Sequence, residues 1–164
     1  MLDPNIRVLA SGKGWLFAAY EDAYVLDWRT MVSVENLDAS VEGARTLLVD
    51  FPDGIATINI LHGAMKLPPP ELRDYAQQKM LESPIGVRCH ATALVERGFW
   101  ASATRAAMTG LYMFQETPFP RRVFSEPREA ITWSSSVLGH DAGWAGAVTR
   151  AVEQISGECE LGSR

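Results

Sequence analysis

A histidine and a lysine follow an apolar segment near the middle of the chain. Residues 55–61 are almost all apolar, His62 comes directly after them, and Lys66 lies four residues further on. Because ligands often bind at the carboxyl ends of parallel strands and at helix N-termini, these two side chains could hold a small anion or an acidic group of a partner. An ordinary polar loop is the alternative. We predict a ligand or partner loop at His62 and Lys66.

The remaining histidines and the cysteines do not form a metal-binding pattern. Cys89 and His90 are adjacent, and neighbours on a strand point to opposite faces, so they cannot act on one ion together. His140 and Cys159 stand alone in the sequence. Three histidines and two separated cysteines match no zinc spacing, so we predict reduced thiols, no metal and no cofactor.

Motifs of common enzymes are missing from the sequence. There is no Gly-x-Ser-x-Gly nucleophile motif, no phosphate-binding loop and no dinucleotide-binding glycine pattern. Carboxylates that are distant in sequence could still meet in a cleft, which leaves a hydrolase or transferase as an alternative. No residue is singled out as catalytic, and we predict that the chain is not an enzyme.

Composition limits the classes of partner. The chain has 164 residues, is 47% hydrophobic and 21% charged, and carries a formal net charge of −5. The negative charge weighs against nucleic acid, and it favours a solvated face over a basic patch for the arginines. No apolar run approaches the roughly 18–20 residues that span a membrane, and the N-terminus lacks a leader pattern, so we expect a cytoplasmic protein. The arginines concerned are Arg97, Arg105, Arg121, Arg122 and Arg128.

Strand and helix patterns alternate along the chain. Alternation of this kind predicts an α/β fold with a mostly parallel central sheet, preceded by antiparallel strands and covered by helices. Ser33 and Ser125 are suited to cap two of the helices. The predicted strands are a weak one near 6–10 and others at 15–20, 23–29, 55–61, 87–95 and 121–124, and the predicted helices are 34–51, about 71–82, 99–114 and 127–137. The predicted core includes Leu48, Ile58, Ile60, Val95, Leu111 and Ile131.

The segment 139–164 is predicted to be an extension with one amphipathic helix and a loose tail. Its apolar residues recur at steps of four, four and three, and Gly157 is expected near the end of the helix. A helix of about twelve residues needs tertiary support, so the stripe must pack on the chain's own sheet or on a second copy. The candidate interface residues are Trp144, Val148, Val152 and Ile155. Of the five tryptophans, Trp144 is the candidate for exposure, whereas Trp15, Trp28, Trp100 and Trp133 are expected in the core.

The order of elements over roughly 15–138 resembles the STAS-like and SpoIIAA-like domains of bacteria. The matching features are the patterns at 34–51, 55–61 and 87–95, a Pro-led helix from Glu71, Phe99-Trp100 opening a helix, and Val123-Phe124 followed by Glu129-Ala-Ile-Thr-Trp133. The resemblance implies that 1–138 is one small regulatory or scaffold-type domain. Such domains bind other proteins and, in some relatives, small ligands.

The resemblance does not extend to a phosphorylation switch. In the anti-sigma-factor antagonists of this superfamily, a phosphorylated Ser or Thr beside an Asp precedes the second helix. The matching segment here, 61–70, contains no Ser, Thr or Asp. We expect a non-catalytic protein-interaction domain whose partner is another protein, with a homodimer as one option. A binder of a small apolar or lipid-like ligand is the alternative, which an apolar cavity of about 300 Å³ or more would favour.

Overall fold

The strands of the sheet lie side by side in the same order in which they occur in the sequence. The computed structural model describes residues 2–63 and 68–162. Within those residues, β1 to β3 form an antiparallel meander, and β3 to β6 are parallel. This confirms the predicted α/β class with a mostly parallel sheet. The strands are β1 Ile6–Gly12, β2 Trp15–Tyr20, β3 Ala23–Trp28, β4 Ile55–Leu61, β5 Val87–Leu94 and β6 Arg121–Phe124.

Helices cover both faces of the sheet. Three helices connect the parallel strands, and right-handed crossovers between strands in sequential order put them on one face, here called the α1 face. The last two helices pack on the other, the α5 face, where α4 contacts β4 and β5 and α5 contacts β2 and β3. The helices are α1 Val34–Asp50, α2 Pro70–Leu81, α3 Phe99–Phe114, α4 Pro127–Leu138 and α5 Ala142–Gly162.

The two-residue period of the strands divides the core into two layers. All seven residues of β4 are buried, as expected for a strand covered on both faces. Ile58 and Ile60 point toward α4 and α5, whereas Thr57 and Asn59 face the other layer. The predicted burial of Ile58, Ile60 and Ile131 is confirmed.

Of the residues predicted to lie in the core, two are exposed and three are only partly buried: Val95 and Trp100, and Leu48, Leu111 and Trp133. Val95 follows the last residue of β5 and is exposed. Leu48 packs at the rim of the core beside Gly86 and is only partly buried. Leu111 is also only partly buried and Trp100 is exposed, because α3 buries only Ala101.

Of the two predicted helix N-caps, one is present in the structure and the other is not. The Asn36 backbone N–H donates to Ser33 Oγ at 3.3 Å, and the Ser33 N–H donates to Asn36 Oδ1 at 2.7 Å, so the predicted cap of α1 is confirmed. The predicted cap at Ser125 was wrong, because Glu126 occupies the N-cap position of α4. The Ser125 hydroxyl instead donates to Glu129 Oε2 at 3.3 Å.

Helix α5 is longer than its pattern predicted. It has 21 residues and continues through Gly157, where an end was expected. Ile155 and Cys159 lie in the same buried stripe on either side of that glycine, so packing on the sheet offsets the helix cost of glycine, which is about 1 kcal/mol. The predicted extension therefore contributes to the same core as β2, β3 and β4.

Candidate functional site

A cavity of about 230 Å³ lies between the α1 face of the sheet and helices α1, α2 and α3. Helix α2 buries none of its residues, and α3 buries only Ala101 and packs mainly on β6, so neither helix packs closely on the central strands. The space beneath them is the cavity. Protein interiors are close-packed with few voids larger than a water molecule, so a space of this size is an unusual feature.

Most of the cavity wall is apolar. Leu26 and Leu94 come from the sheet, and Leu37 and Val41 come from the inner side of α1. Met80 and Met108 close it from α2 and α3, and methionine adapts readily to ligands of different shape. The incomplete burial of Leu111 has the same origin, because its side chain also lines this cavity.

A chain of buried polar side chains crosses the floor of the cavity. Trp28 Nε1 donates to Asn59 Oδ1 at 3.1 Å, which orients the Asn59 amide. Asn59 Nδ2 lies 3.0 Å from His90 Nε2, and because the amide nitrogen is the donor, His90 Nε2 accepts and the ring proton is placed on Nδ1. Burial, and secondly the nearby Arg121 guanidinium, lower the pKa of His90 to about 3. His90 is therefore a neutral hydrogen-bonding group.

Arg121 lies beside His90, because these two residues are paired in the register of β5 and β6. Its guanidinium lies 3.6 Å from the centre of the Tyr112 ring, and its Nη1 donates to Gln115 Oε1 at 3.2 Å. Its Nε is buried and has no hydrogen-bond partner among the described residues. The stacking fixes the cation in place while leaving one donor unused.

The opposite wall also carries polar atoms without partners. Arg73 and Gln77 are four residues apart on α2 and share one face of that helix. Gln77 Nε2 donates to the Glu116 carbonyl at 3.0 Å, but Gln77 Oε1 and Arg73 Nε are buried without partners in the described structure. Both residues line the cavity.

The charges around the cavity have one sign. Its lining residues include Arg73, Lys79 and Arg121, and none of the described lining residues is an aspartate or a glutamate. Lys79 is already paired, since its Nζ lies 3.2 Å from both Asp38 Oδ1 and Glu82 Oε2. The two arginines thus set a positive potential in a protein whose net charge is −5. A pair of convergent carboxylates, which a hydrolase would use, is not found in this lining.

His62 lies on the opposite face of the sheet from the cavity. Its Nε2 is 2.8 Å from Oδ2 of Asp27, a fully buried carboxylate. The Ser156 hydroxyl donates to the same Oδ2, and Arg29 Nε lies 3.6 Å from Oδ1. His62 therefore links β3, β4 and α5 through Asp27, while its predicted neighbour Lys66 lies outside the described residues.

The other singled-out groups do not meet. Cys89 and His90 face opposite layers as predicted, with the thiol near Ser134 of α4 and the imidazole in the cavity. Burial raises the pKa of the Cys89 and Cys159 thiols to about 11 and about 12, so both are protonated at neutral pH. Across residues 2–63 and 68–162, no three His, Cys, Asp or Glu side chains cluster as a metal site would require.

Trp144, Val148, Val152 and Ile155 are all buried in the chain's own core. The structure therefore has the intramolecular packing that the sequence allowed, and little of this stripe is left to contact a second copy. Asn59 and Arg121 were not predicted to be site residues. The signal was present as polar residues at every second position of otherwise apolar strands, at Thr57 and Asn59 and again at His90 and Thr92.

No family model, curated protein or solved structure matches the chain. None of the helices in the described part is long and apolar enough to cross a membrane.

Proposed function

We propose that the protein binds a small, mostly apolar molecule in the cavity beneath α2 and α3. The observation that carries this proposal is a mainly apolar space of about 230 Å³, with polar groups on its floor and on the side formed by α2. At about 230 Å³ the cavity is smaller than the roughly 300 Å³ that the sequence-based prediction required, and ligand pockets are usually about 300–1,000 Å³, so the expected ligand is compact. Apolar cavities of about 150 Å³ already take up small aromatic molecules.

An uncharged apolar dye tests the proposal. N-phenyl-1-naphthylamine gains fluorescence when it leaves water, and we expect saturable binding with one site per chain. Ala76→Trp introduces a large ring from α2 into the cavity lining and should abolish dye binding. Asp74→Trp adds the same ring to the exposed side of the same helix and should leave binding intact. Equal binding by both variants would place the dye elsewhere and refute the proposal.

A second candidate function is self-association through α3. The outer side of α3 carries Phe99, Trp100, Met113 and Phe114, each between 77% and 89% exposed. Exposed apolar patches of this kind mark interaction sites. The predicted resemblance to STAS-like domains, which bind other proteins, also supports an interaction site on this protein.

The pattern on α3 favours a second copy of this chain as the occupant. About a point between Ala106 and Ala107 the sequence is self-complementary, since Phe99 mirrors Phe114 and Trp100 mirrors Met113. Two antiparallel copies would thus place aromatic ends against each other and small residues at the crossing, as a two-fold interface requires. Arg105 is the helix's one charged residue, and it is turned toward Ser102, with Nη2 2.9 Å from Ser102 Oγ.

The area available is sufficient for a dimer. A large aromatic side chain covers roughly 150–250 Å², so four large residues that are mostly exposed offer on the order of 600 Å² per copy. Stable interfaces bury about 800 Å² per partner, and the flanking alanines add to the total. We expect a dimer by light scattering, and a monomer for Phe114→Glu.

Val49→Glu is the matched control, because Val49 is equally exposed but lies on α1, away from the patch. It should remain dimeric. A wild-type protein that is monomeric at every concentration tested would refute the self-association proposal.

A further inference from the structure

We infer that the ligand is an amphipathic carboxylic acid whose carboxylate binds Arg121 while its apolar part fills the cavity. This inference rests on the proposed ligand-binding function and specifies the chemistry of the ligand. It concerns the polar side of the cavity, where β5 and β6 place His90 and Arg121 next to each other.

Arg121 lacks a counterion in the described structure. Its guanidinium stacks on Tyr112 and bonds one neutral oxygen, that of Gln115, and it makes no ion pair with a described carboxylate. Arg121 is partly buried, and its Nε is buried without a hydrogen-bond partner among the described residues. An unsatisfied buried donor is destabilising, so a ligand that supplies an anionic acceptor would satisfy this donor and pair the guanidinium.

The shape of the guanidinium favours a carboxylate. Arginine presents its N–H groups in a planar fork that matches the two oxygens of a carboxylate, and stacking on Tyr112 holds the plane of that fork fixed. The apolar walls favour a ligand with one compact charged group and a hydrocarbon body.

His90 adds a neutral donor at the same place. Its Nε2 accepts from Asn59, so its Nδ1 carries the proton. Among described residues, the one side-chain hydrogen-bonding contact of Nδ1 is with the Asn59 amide nitrogen at 3.5 Å, which is itself a donor. A carboxylate oxygen could accept from Nδ1, and Arg73, from α2, contributes a further positive charge to the lining.

Decanoic acid and 1-decanol are suitable probes, because they share a hydrocarbon chain and differ in the charged group. Each is titrated against the full chain, and binding is measured by displacement of N-phenyl-1-naphthylamine. We expect wild-type protein to prefer decanoate by about tenfold or more, since hydrogen bonds to charged groups contribute about 1.5–3 kcal/mol. Arg121→Met should remove most of that preference, measured as the ratio of the two affinities in the same variant.

Two further variants keep the test decisive. Arg121→Lys retains the charge without the planar fork and should show an intermediate preference, and it also covers the case in which Arg121→Met does not fold. Arg105→Met removes an arginine of α3 that does not line the cavity and should keep the full preference.

The possible results distinguish recognition of an acid by Arg121 from the binding of apolar molecules in the cavity. If wild-type protein binds decanol as tightly as decanoate, or if Arg121→Met keeps the preference, the ligand is not an acid held by Arg121, although apolar binding stands. If neither probe nor the dye binds, both the inference and the proposed function are wrong.

Discussion

The indole Nε1 of Trp144 donates a hydrogen bond to Asp22 Oδ1 at 2.9 Å, which fastens the start of α5 to the turn before β3. His140 stacks on the Trp144 ring with 4.8 Å between ring centres, and its Nε2 lies 2.6 Å from Asp22 Oδ2. The tryptophan that the sequence suggested as exposed is therefore only 7% exposed. Residues separated by more than a hundred positions form this contact, so no local pattern could predict it.

Helix α5 should contribute substantially to stability. Ile155 is fully buried between α5 and the sheet, so Ile155→Ala should lower the free energy of unfolding by about 2–5 kcal/mol in urea titrations. Leu161→Ala removes a mostly exposed side chain from the same helix and should change it by less than about 0.5 kcal/mol. Equal, small effects would mean that α5 is not part of the core.

Strand β4 lies in the centre of the sheet, so shortening one of its buried side chains should also destabilise the fold. Ile58 is fully buried between β3 and β5, so Ile58→Ala should also cost about 2–5 kcal/mol. Val8→Ala, on edge strand β1, is the control, because Val8 is largely exposed. A loss below about 1 kcal/mol for Ile58→Ala would contradict the central placement of this strand.

Gly43 is needed where a helix would ordinarily prefer alanine. A Cβ at this position would lie 2.1 Å from the Tyr24 hydroxyl oxygen, which is buried and has no hydrogen-bond partner among the described residues. Gly43→Ala should therefore destabilise the protein, although alanine favours an exposed helix by about 1 kcal/mol. Thermal unfolding of the variant measures the sign of the change.

Tyr24→Phe tests the same contact from the other side. It removes a hydroxyl that gains no hydrogen bond on folding, so its own effect should be small or stabilising. In the double variant, Gly43→Ala should cost less than it does alone, because the oxygen at 2.1 Å is gone, but a cost should remain, because the ring carbon Cζ still lies 2.8 Å from the added Cβ. Simple additivity of the two changes would show that Tyr24 does not require the glycine.

Element positions followed from the sequence because they depend on local periodicity. The mainly apolar pattern at 55–61 and the steps of three and four at 34–51 each identify one element almost to the residue. The cavity could not be predicted in this way. A helical stripe such as that containing Leu111 shows which side faces inward, but not how far the helix stands from the sheet. The partnership of Asn59 with His90 depends on strand register, which emerges only from the assembled fold.

His90 should make the folded protein sensitive to acid. Its pKa is near 6.5 in the unfolded chain and about 3 in the folded protein, chiefly through burial and secondly through the Arg121 charge. Between those two values the unfolded state binds one more proton, so the stability due to this group is fully present above 6.5 and is lost as pH falls toward 3. In this window the free energy of unfolding should rise with pH by up to about 1.4 kcal/mol for each pH unit.

His90→Gln isolates this contribution, because glutamine hydrogen-bonds without titrating. The unfolding free energy of His90→Gln is subtracted from that of the wild type at each pH between about 3 and 6.5. The contributions of carboxylates that titrate in both proteins cancel, and the difference should rise with pH. Arg121→Met should change the slope little, because the Arg121 charge is the smaller cause. A difference that stays flat would mean that His90 takes up its proton in the folded state, which requires water at the floor of the cavity. An acid ligand would oppose the acid sensitivity, since a carboxylate beside His90 favours its protonated form.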